Sequence, residues 1–134
     1  MKIFRWLGLA ALAVAVGGTA QAQTVKVGVV LPFSGANADL GHQIDKAFDL
    51  YVKLHAKDIA PYKVDIIKRD EGPPTGAQAK TVTTELITND KVQLVTGFVF
   101  SPSAIALAPV ITQAKVPMII ANAGTARITD LSPY

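Results

Sequence analysis

Short apolar runs alternate with longer amphipathic segments along most of the chain. Four runs are rich in β-branched residues and bounded by turn-forming residues, which predicts strands: Val25–Leu31, Tyr62–Arg69, Val92–Gly97 and Pro117–Ala121. The segments between them carry apolar residues three and four positions apart, which predicts helices. A regular strand–helix alternation is typical of a doubly wound, mainly parallel α/β sheet with right-handed crossovers.

The first two predicted helices each have one apolar face. The first extends from about Leu40 to Lys57, with Ile44, Ala47, Phe48, Tyr51 and Val52 on that face. In the second helix, Thr75 with Gln78 three positions later predicts side-chain capping of the first turn. Its buried stripe is predicted to consist of Ala79, Val82, Thr83 and Leu86.

The third predicted helix begins with Ser101 as N-cap and Pro102 in the first turn. Its apolar face is predicted to contain Ala104, Leu107, Ala108 and Ile111. Pro109 lies inside this pattern and lacks a backbone donor, so we expect a kink or a break there. No further helix is predicted after the fourth strand. The sheet therefore lacks cover at that edge, and we expect residues 23–134 to be a fragment of something longer.

The first twenty-two residues have the order of a cleavable export signal. Lys2 and Arg5 precede an apolar stretch from Trp6 to Val16, and Ala20-Gln21-Ala22 offers the small side chains that a signal peptidase requires. A membrane anchor is the alternative, but a spanning helix needs about 20 apolar residues. We expect cleavage after Ala22 and a periplasmic mature chain that starts at Gln23.

Charge and cysteine content narrow the function classes. Two of the 13 basic residues, Lys2 and Arg5, lie in the signal, which leaves 11 basic against 10 acidic side chains. The basic residues are scattered singly, so the sequence does not indicate a nucleic-acid partner. Cysteine is absent, which excludes disulfides, thiolate metal sites and a cysteine nucleophile.

Four predicted loops follow the carboxyl ends of the strands, where open α/β sheets bind ligands. They are Pro32–Gly41, Asp70–Thr75, Phe98–Ser103 and Asn122–Thr125. Ser101 and Ser103 place two hydroxyls at a helix N-terminus, an arrangement that attracts a carboxylate. Ser101 could equally cap its helix, and both roles are compatible. Residues 122–125 could contact a ligand through their backbone or form an ordinary turn.

The sequence offers little for catalysis, metals or nucleotides. Asp70 and Glu71 form the only adjacent carboxylate pair, and we expect them to accept amides near the following helix or to lie in water. His42 and His55 have no partners at triad or metal-ligand spacing, and His55 is expected to be a packed or half-exposed neutral side chain. The loop after the first strand lacks the glycine spacing of a dinucleotide site. We expect no enzyme, no metal and no cofactor.

Several segments, in this order, resemble a known family. They are VKVGVVLPFSG, ADLG, KRDEGPP, LVTGFVFSPSA and VPMIIANAGT. Together with the export signal they are similar to the N-terminal part of periplasmic substrate-binding proteins of ABC transporters, in particular the leucine/isoleucine/valine-binding group. The resemblance spans nearly all of residues 25–134. It implies a type I periplasmic-binding fold, of which residues 23–134 would form the N-terminal part of the first ligand-binding lobe.

The resemblance also implies a set of ligand contacts. In that family two lobes close on a small ligand, whose carboxylate is held by serine hydroxyls and backbone amides of the first lobe. Ser101 and Ser103 match the serine-rich loop after the third strand, with Phe100 beside them, and Leu40 lies in the matching ADLG loop. Ala123 and Gly124 match an alanine and a threonine of the family, so the threonine hydroxyl is lost at Gly124 and Thr125 could replace it.

The implied function is an exported solute-binding protein that delivers a small carboxylate-bearing ligand to the membrane permease of an ABC importer. A branched-chain or related amino acid is the leading ligand class. Aromatic acids such as benzoates are the alternative, because an Ala-Asn-Ala-Gly loop also resembles relatives that bind them. A receptor whose input domain uses the same lobe is a further alternative.

Overall fold

A four-stranded parallel sheet forms the centre of the computed structural model, which describes residues 23–131. The strands are β1 (Thr24–Leu31), β2 (Lys63–Asp70), β3 (Leu94–Gly97) and β4 (Met118–Ile120), in the spatial order β2-β1-β3-β4. Leu31 of β1 pairs with Asp70 of β2, and Val30 pairs with Gly97 of β3. The predicted doubly wound α/β architecture and its four strands are confirmed.

Within residues 23–131, five helices connect or follow the strands. They are α1 (Ala38–Leu54, preceded by the 3-10 turn Gly35–Asn37), α2 (Ala56–Ile59), α3 (Ala77–Thr88), α4 (Ser101–Ala114) and α5 (Arg127–Leu131). The first helix ends three residues before the predicted Lys57. His55 is its C-cap and donates its amide to the Tyr51 carbonyl at 3.0 Å, and a separate single turn follows. None of the helices within residues 23–131 is both long and apolar enough to cross a bilayer.

Two apolar clusters cover the two faces of the sheet. Because side chains alternate along a strand, Val30 points to one face, and Val29 and Leu31 point to the other. The Val30 face packs against α3, α4 and α5 through Leu86, Leu107, Ile111 and Ile128. The Val29 face packs against α1 through Ile44 and Phe48. The predicted apolar faces of the second and third helices are confirmed, although Val82 is only half-buried.

The capping of α3 differs from the prediction. Its N-cap is Gly76, which has a φ of 79° and makes no side-chain cap, so Thr75 does not cap this helix. The Gln78 side chain instead donates to the Asp70 carbonyl oxygen at 3.2 Å. Gly76 lies so close to α4 that an added Cβ would meet the Pro102 carbonyl oxygen at 2.8 Å. Packing between α3 and α4 therefore determines how α3 begins.

The start and the middle of α4 also differ from the prediction. The N-cap is Phe100, without a side-chain cap, and Ser101 is already the first helical residue. The helix continues through Pro109 to Ala114, so the break considered at Pro109 is wrong. Pro109 lies on the exposed side of α4. Carbonyls on the solvent side of a helix can tilt outward, which makes room for the ring without disturbing the packed face.

The predicted absence of a helix after the fourth strand is wrong as well. The short helix α5 follows β4, and Ile128 is 7% exposed within the cluster that also contains Leu107 and Ile111. Five residues are too few to show a helical period in the sequence. Cover on the α4 side of the sheet therefore extends beyond β4.

Ion pairs join β2 to α1 and to the segment just beyond α3. Lys68 Nζ lies 2.7 Å from Asp45 Oδ1 and 3.1 Å from Asp49 Oδ2, which ties β2 to α1. The hydrogen bond to Asp45 outweighs partial burial and raises the pKa of Lys68 above its usual 10.5. Arg69 Nη2 lies 2.9 Å from Asp90 Oδ2, just beyond the end of α3.

Candidate functional site

The carboxyl ends of the four parallel strands meet at one edge of the sheet. From β1 the chain passes to β2 on one side, and β3 lies on the other, so the strand order reverses between β1 and β3. Open α/β sheets bind ligands in the crevice at such a switch point. The loop after β1 and the turn between β3 and α4 flank this point, and we call them the first and second walls of the expected crevice.

Asp70, the last residue of β2, holds the loop after β1. Its carboxylate accepts the Phe33 amide at 2.9 Å, the Ser34 hydroxyl at 2.6 Å and the Gly72 amide at 3.1 Å. Partial burial acts to raise the pKa of Asp70, but the hydrogen bonds from Ser34, Gly72 and Phe33 outweigh it and lower the pKa below its usual 3.8. Asp70 is therefore a support for the first crevice wall.

Glu71 is completely buried and holds the second wall. Its Oε2 accepts the Val99 amide at 2.8 Å, and its Oε1 accepts the Phe100 amide at 3.0 Å. The prediction that the acidic pair accepts amides is confirmed, but the amides of Val99 and Phe100 precede α4 rather than the following helix α3. The contact joins residues 28 and 29 positions apart, and no local signal in the sequence could have identified it.

The turn that presents these amides has an unusual backbone. Gly97 has a φ of 117°, and Phe98 has a φ of 61° although it is not glycine. The Phe98 side chain is fully buried, and its amide donates to the Val30 carbonyl at 2.8 Å. Non-glycine residues adopt such conformations only where their surroundings impose them. The chain thus leaves β3 through a strained turn that directs residues 99–101 toward the crevice.

Ser101 and Ser103 occupy different environments at the start of α4. Ser101 is half-exposed, whereas the side chain of Ser103 is 0% exposed and its Oγ has no partner within the described part of the chain. The Ala104 amide donates to the Phe100 carbonyl at 3.2 Å, so the amides of Ser101 and Ser103 precede the first helical hydrogen bond. Ser103 thus lies below the accessible surface, while the half-exposed Ser101 offers its hydroxyl and its amide as donors.

The loop after β4 lies against the same turn. Ala121 and Ala123 donate their amides to the carbonyls of Gly97 and Phe98 at 2.7 and 3.2 Å, and Asn122 Nδ2 reaches the Val99 carbonyl at 3.4 Å. Ala123 and Thr125 are half-buried, and Gly124 is exposed. Their contacts bring the predicted loop 122–125 next to the turn that carries Phe100 and Ser101.

The remaining predicted residues lie around this centre or away from it. Leu40, in the first turn of α1, is 37% exposed. The His42 ring lies 5.5 Å from that of Phe33, which places it beside the first wall, a contact that the sequence did not indicate. His55 is half-exposed, stacks on Tyr51 at 4.2 Å and lies 2.8 Å from Asp58, remote from the crevice. Residues 23–131 contain no cluster of three acidic or histidine side chains that could hold a metal.

Comparison with known proteins agrees with this geometry. The model of the periplasmic binding protein family matches residues 24–134. The chain belongs to the periplasmic binding protein family. It is 38% identical over 130 residues to the Leu/Ile/Val-binding protein homolog 6 of Brucella abortus, a match that covers 96% of this chain and 33% of that protein. The resemblance inferred from the sequence motifs is confirmed.

Two solved members of this family show what the fold can hold. The solute-binding protein of an ABC transporter from R. palustris, in complex with 4-hydroxybenzoate, is 41% identical with a TM-score of 0.79, covering 84% of this chain and 30% of its own. A second structure is the branched-chain amino acid transporter substrate-binding protein LivJ of Streptococcus pneumoniae in complex with isoleucine. It is 30% identical to this chain with a TM-score of 0.75, and the match covers 84% of this chain and 32% of LivJ. This periplasmic binding protein chain therefore spans about a third of the length of these relatives.

Proposed function

We propose that this chain is part of the first ligand-binding lobe of an exported, non-enzymatic solute-binding protein. The complete protein would deliver a small carboxylate-bearing solute to the membrane permease of an ABC importer. Residues 1–22 lie outside the described residues, and their order of charged, apolar and small side chains supports export. The observation that carries this proposal is that Ser101, at the start of α4, keeps hydrogen-bond donors that the fold does not use.

Most backbone donors around the crevice are already used by the fold. Glu71 takes two amides, Asp70 takes two more, and the carbonyls of Gly97 and Phe98 take the amides of Ala121 and Ala123. At the second wall, the half-exposed Ser101 keeps its hydroxyl and its amide for a solute, whereas Ser103 is completely buried. These two donors lie at the N-terminus of a fourteen-residue helix, whose dipole favours an anion. A carboxylate is the solute group that fits this set.

The remaining predicted contacts shape the rest of the solute pocket. Phe100 and Leu40 supply apolar surface, and Ala123, Gly124 and Thr125 supply a loop of small side chains. We propose a branched-chain or related amino acid as the solute, supported by the Brucella relative and the isoleucine-bound LivJ. A hydroxybenzoate-like aromatic acid is the second candidate, supported by the R. palustris protein, which is 41% identical to this chain.

Calorimetric titration of the complete protein with isoleucine and with 4-hydroxybenzoate tests the function and separates the two solute classes. Ser101→Ala removes a hydrogen bond to a charged group, which costs about 1.5 to 3 kcal/mol, so affinity should fall by about one to two decades. Thr81→Ala is the matched control, because Thr81 is exposed on α3 and bonds only within its helix. Ser103→Ala measures whether the buried hydroxyl takes part.

Two results would contradict the proposal. A complete, folded protein that binds neither isoleucine nor 4-hydroxybenzoate would remove both solute classes. An unchanged affinity in Ser101→Ala would remove this hydroxyl from the site.

A further inference from the structure

We infer that Glu71 is a positioning residue for the solute site: its buried carboxylate holds the turn before α4 in the conformation that presents Ser101 to the crevice. The inference rests on the proposed function for its link to binding, and on the hydrogen bonds of Glu71 for its structural part. Glu71 is 0% exposed, so it does not itself touch a solute.

The carboxylate is itself held firmly. Glu71 directly follows β2, and its amide donates to the Leu31 carbonyl of β1 at 2.8 Å. The next residue, Gly72, donates its amide to Asp70. Gly72 has a φ of 71°, and an added Cβ would meet the Gln78 side chain at 2.4 Å, so the chain here fits closely against α3. Glu71 is therefore fixed from both sides of its own backbone.

The turn depends on what Glu71 supplies. The amides of Val99 and Phe100 are used by Glu71, and Val99 is 7% exposed, so water would not readily replace the carboxylate there. The preceding residue, Phe98, has a φ of 61°. A strained conformation of this kind persists only where its surroundings hold it. Without two acceptors at Glu71, the amides of Val99 and Phe100 would lose their partners, and only the other hydrogen bonds of the turn would hold it.

Ser101 directly follows the held segment. Because it is the first residue of α4 and Phe100 is the N-cap, a rotation of the Phe100 peptide re-aims the Ser101 amide and displaces its hydroxyl. Groups of a binding site must be held within about 0.5 Å of their productive positions, so a displaced hydroxyl weakens binding. The structure thus predicts a loss of affinity from a residue that does not touch the solute.

The experiment compares three variants of the complete protein. Glu71→Gln keeps the size but places an NH2 group against one of the two amides, Glu71→Asp keeps both acceptor oxygens, and Glu85→Gln makes the same charge change on the exposed side of α3. Hydrogen exchange of peptides covering residues 98–103 should be at least tenfold faster in Glu71→Gln, intermediate in Glu71→Asp and unchanged in Glu85→Gln. Exchange in β1 should stay the same in all three.

Affinity for isoleucine or 4-hydroxybenzoate, whichever the unmodified protein binds, should follow the same order and fall at least tenfold in Glu71→Gln. Asp70→Asn provides a positional control, since it should accelerate exchange at Phe33 and Gly72 but not at Val99 and Phe100.

Unchanged exchange at residues 98–103 in Glu71→Gln would overturn the inference, and so would faster exchange with affinity within twofold of the unmodified protein. If the unmodified protein binds neither compound, the proposed function fails, while the exchange measurement still decides whether Glu71 holds the turn. If Glu71→Gln does not fold, Glu71→Asp with unchanged exchange and affinity would also overturn it.

Discussion

Gly97→Ala tests how tightly the end of β3 is packed against β1. Gly97 is the last residue of β3 and has a φ of 117°, which L-residues rarely adopt. An added Cβ would lie 2.1 Å from the Val30 carbonyl oxygen and 2.8 Å from its carbon. Alanine at this position therefore combines backbone strain with a collision against β1.

The two costs can be separated with other glycines of the chain. A residue forced into a sparsely populated backbone region costs about 1 to 3 kcal/mol. Displacing packed backbone adds about 1 to 3 kcal/mol, as overpacking does elsewhere. Gly97→Ala should therefore lower the free energy of unfolding by about 2 to 6 kcal/mol, a large part of the 5 to 15 kcal/mol typical of a domain.

Gly35→Ala should cost about 1 to 3 kcal/mol, because Gly35 has a φ of 74° but nothing within 4 Å of an added Cβ. Gly124→Ala should change stability by less than about 0.5 kcal/mol, since the nearest atom is 3.9 Å away and its φ is not positive.

Urea denaturation of the complete protein, followed by circular dichroism, measures the three variants side by side. With a slope of about 2 kcal/mol per molar urea, the Gly97→Ala midpoint should fall by about 1 to 3 M. The reasoning is refuted if Gly97→Ala is no less stable than Gly35→Ala, because the contact with Val30 would then contribute nothing.

Three further predictions concern pH, processing and the isolated chain. Because the pKa of Asp70 is lowered in the folded state, its stabilising contribution is present above pH 3.8 and is lost as the pH falls through the folded-state pKa. Asp70→Asn should therefore lose less stability on acidification than the unmodified protein. Urea midpoints between pH 7 and pH 3 measure this difference. N-terminal sequencing of the protein from a periplasmic extract should begin at Gln23, and an intact Met1 would contradict export with cleavage. Residues 23–134 expressed alone should bind solutes at millimolar affinity or not at all, because a single lobe forms only one side of a two-lobed cleft, whereas good sites bury about 70 to 90% of the ligand surface. They should also self-associate through an apolar sheet face where Ile119 is 57% exposed. A monodisperse monomer with micromolar affinity, measured by light scattering and calorimetry, would contradict both expectations.

Hydrophobic patterning was sufficient to predict the sheet because each strand is a short apolar run with its own boundaries. Val25–Leu31 was predicted and Thr24–Leu31 is observed, and the faces of α3 and α4 follow the expected spacing. These features depend on residues close in sequence, whose burial is enforced by the same local period.

The helix starts were predicted less well, because contacts between elements decide them. Ser101 has the chemistry of an N-cap, yet the cap position falls on Phe100, where the amide is taken by Glu71. Thr75 likewise has the chemistry of a cap, but Gly76 must approach Pro102 of another helix. Propensity at a helix end is worth about 1 kcal/mol, and long-range packing outweighs it at both positions.

Two consecutive residues at the end of β2 support both walls of the crevice. Asp70 binds the loop after the adjacent strand β1, and Glu71 reaches the turn after β3, on the far side of β1. With the exception of the Ser34 hydroxyl, the groups they bind are backbone amides. The side chains of the walls, such as Phe100 and Leu40, can therefore change without loss of this support. Under the proposed function, a frame held through the backbone would leave solute choice to those side chains.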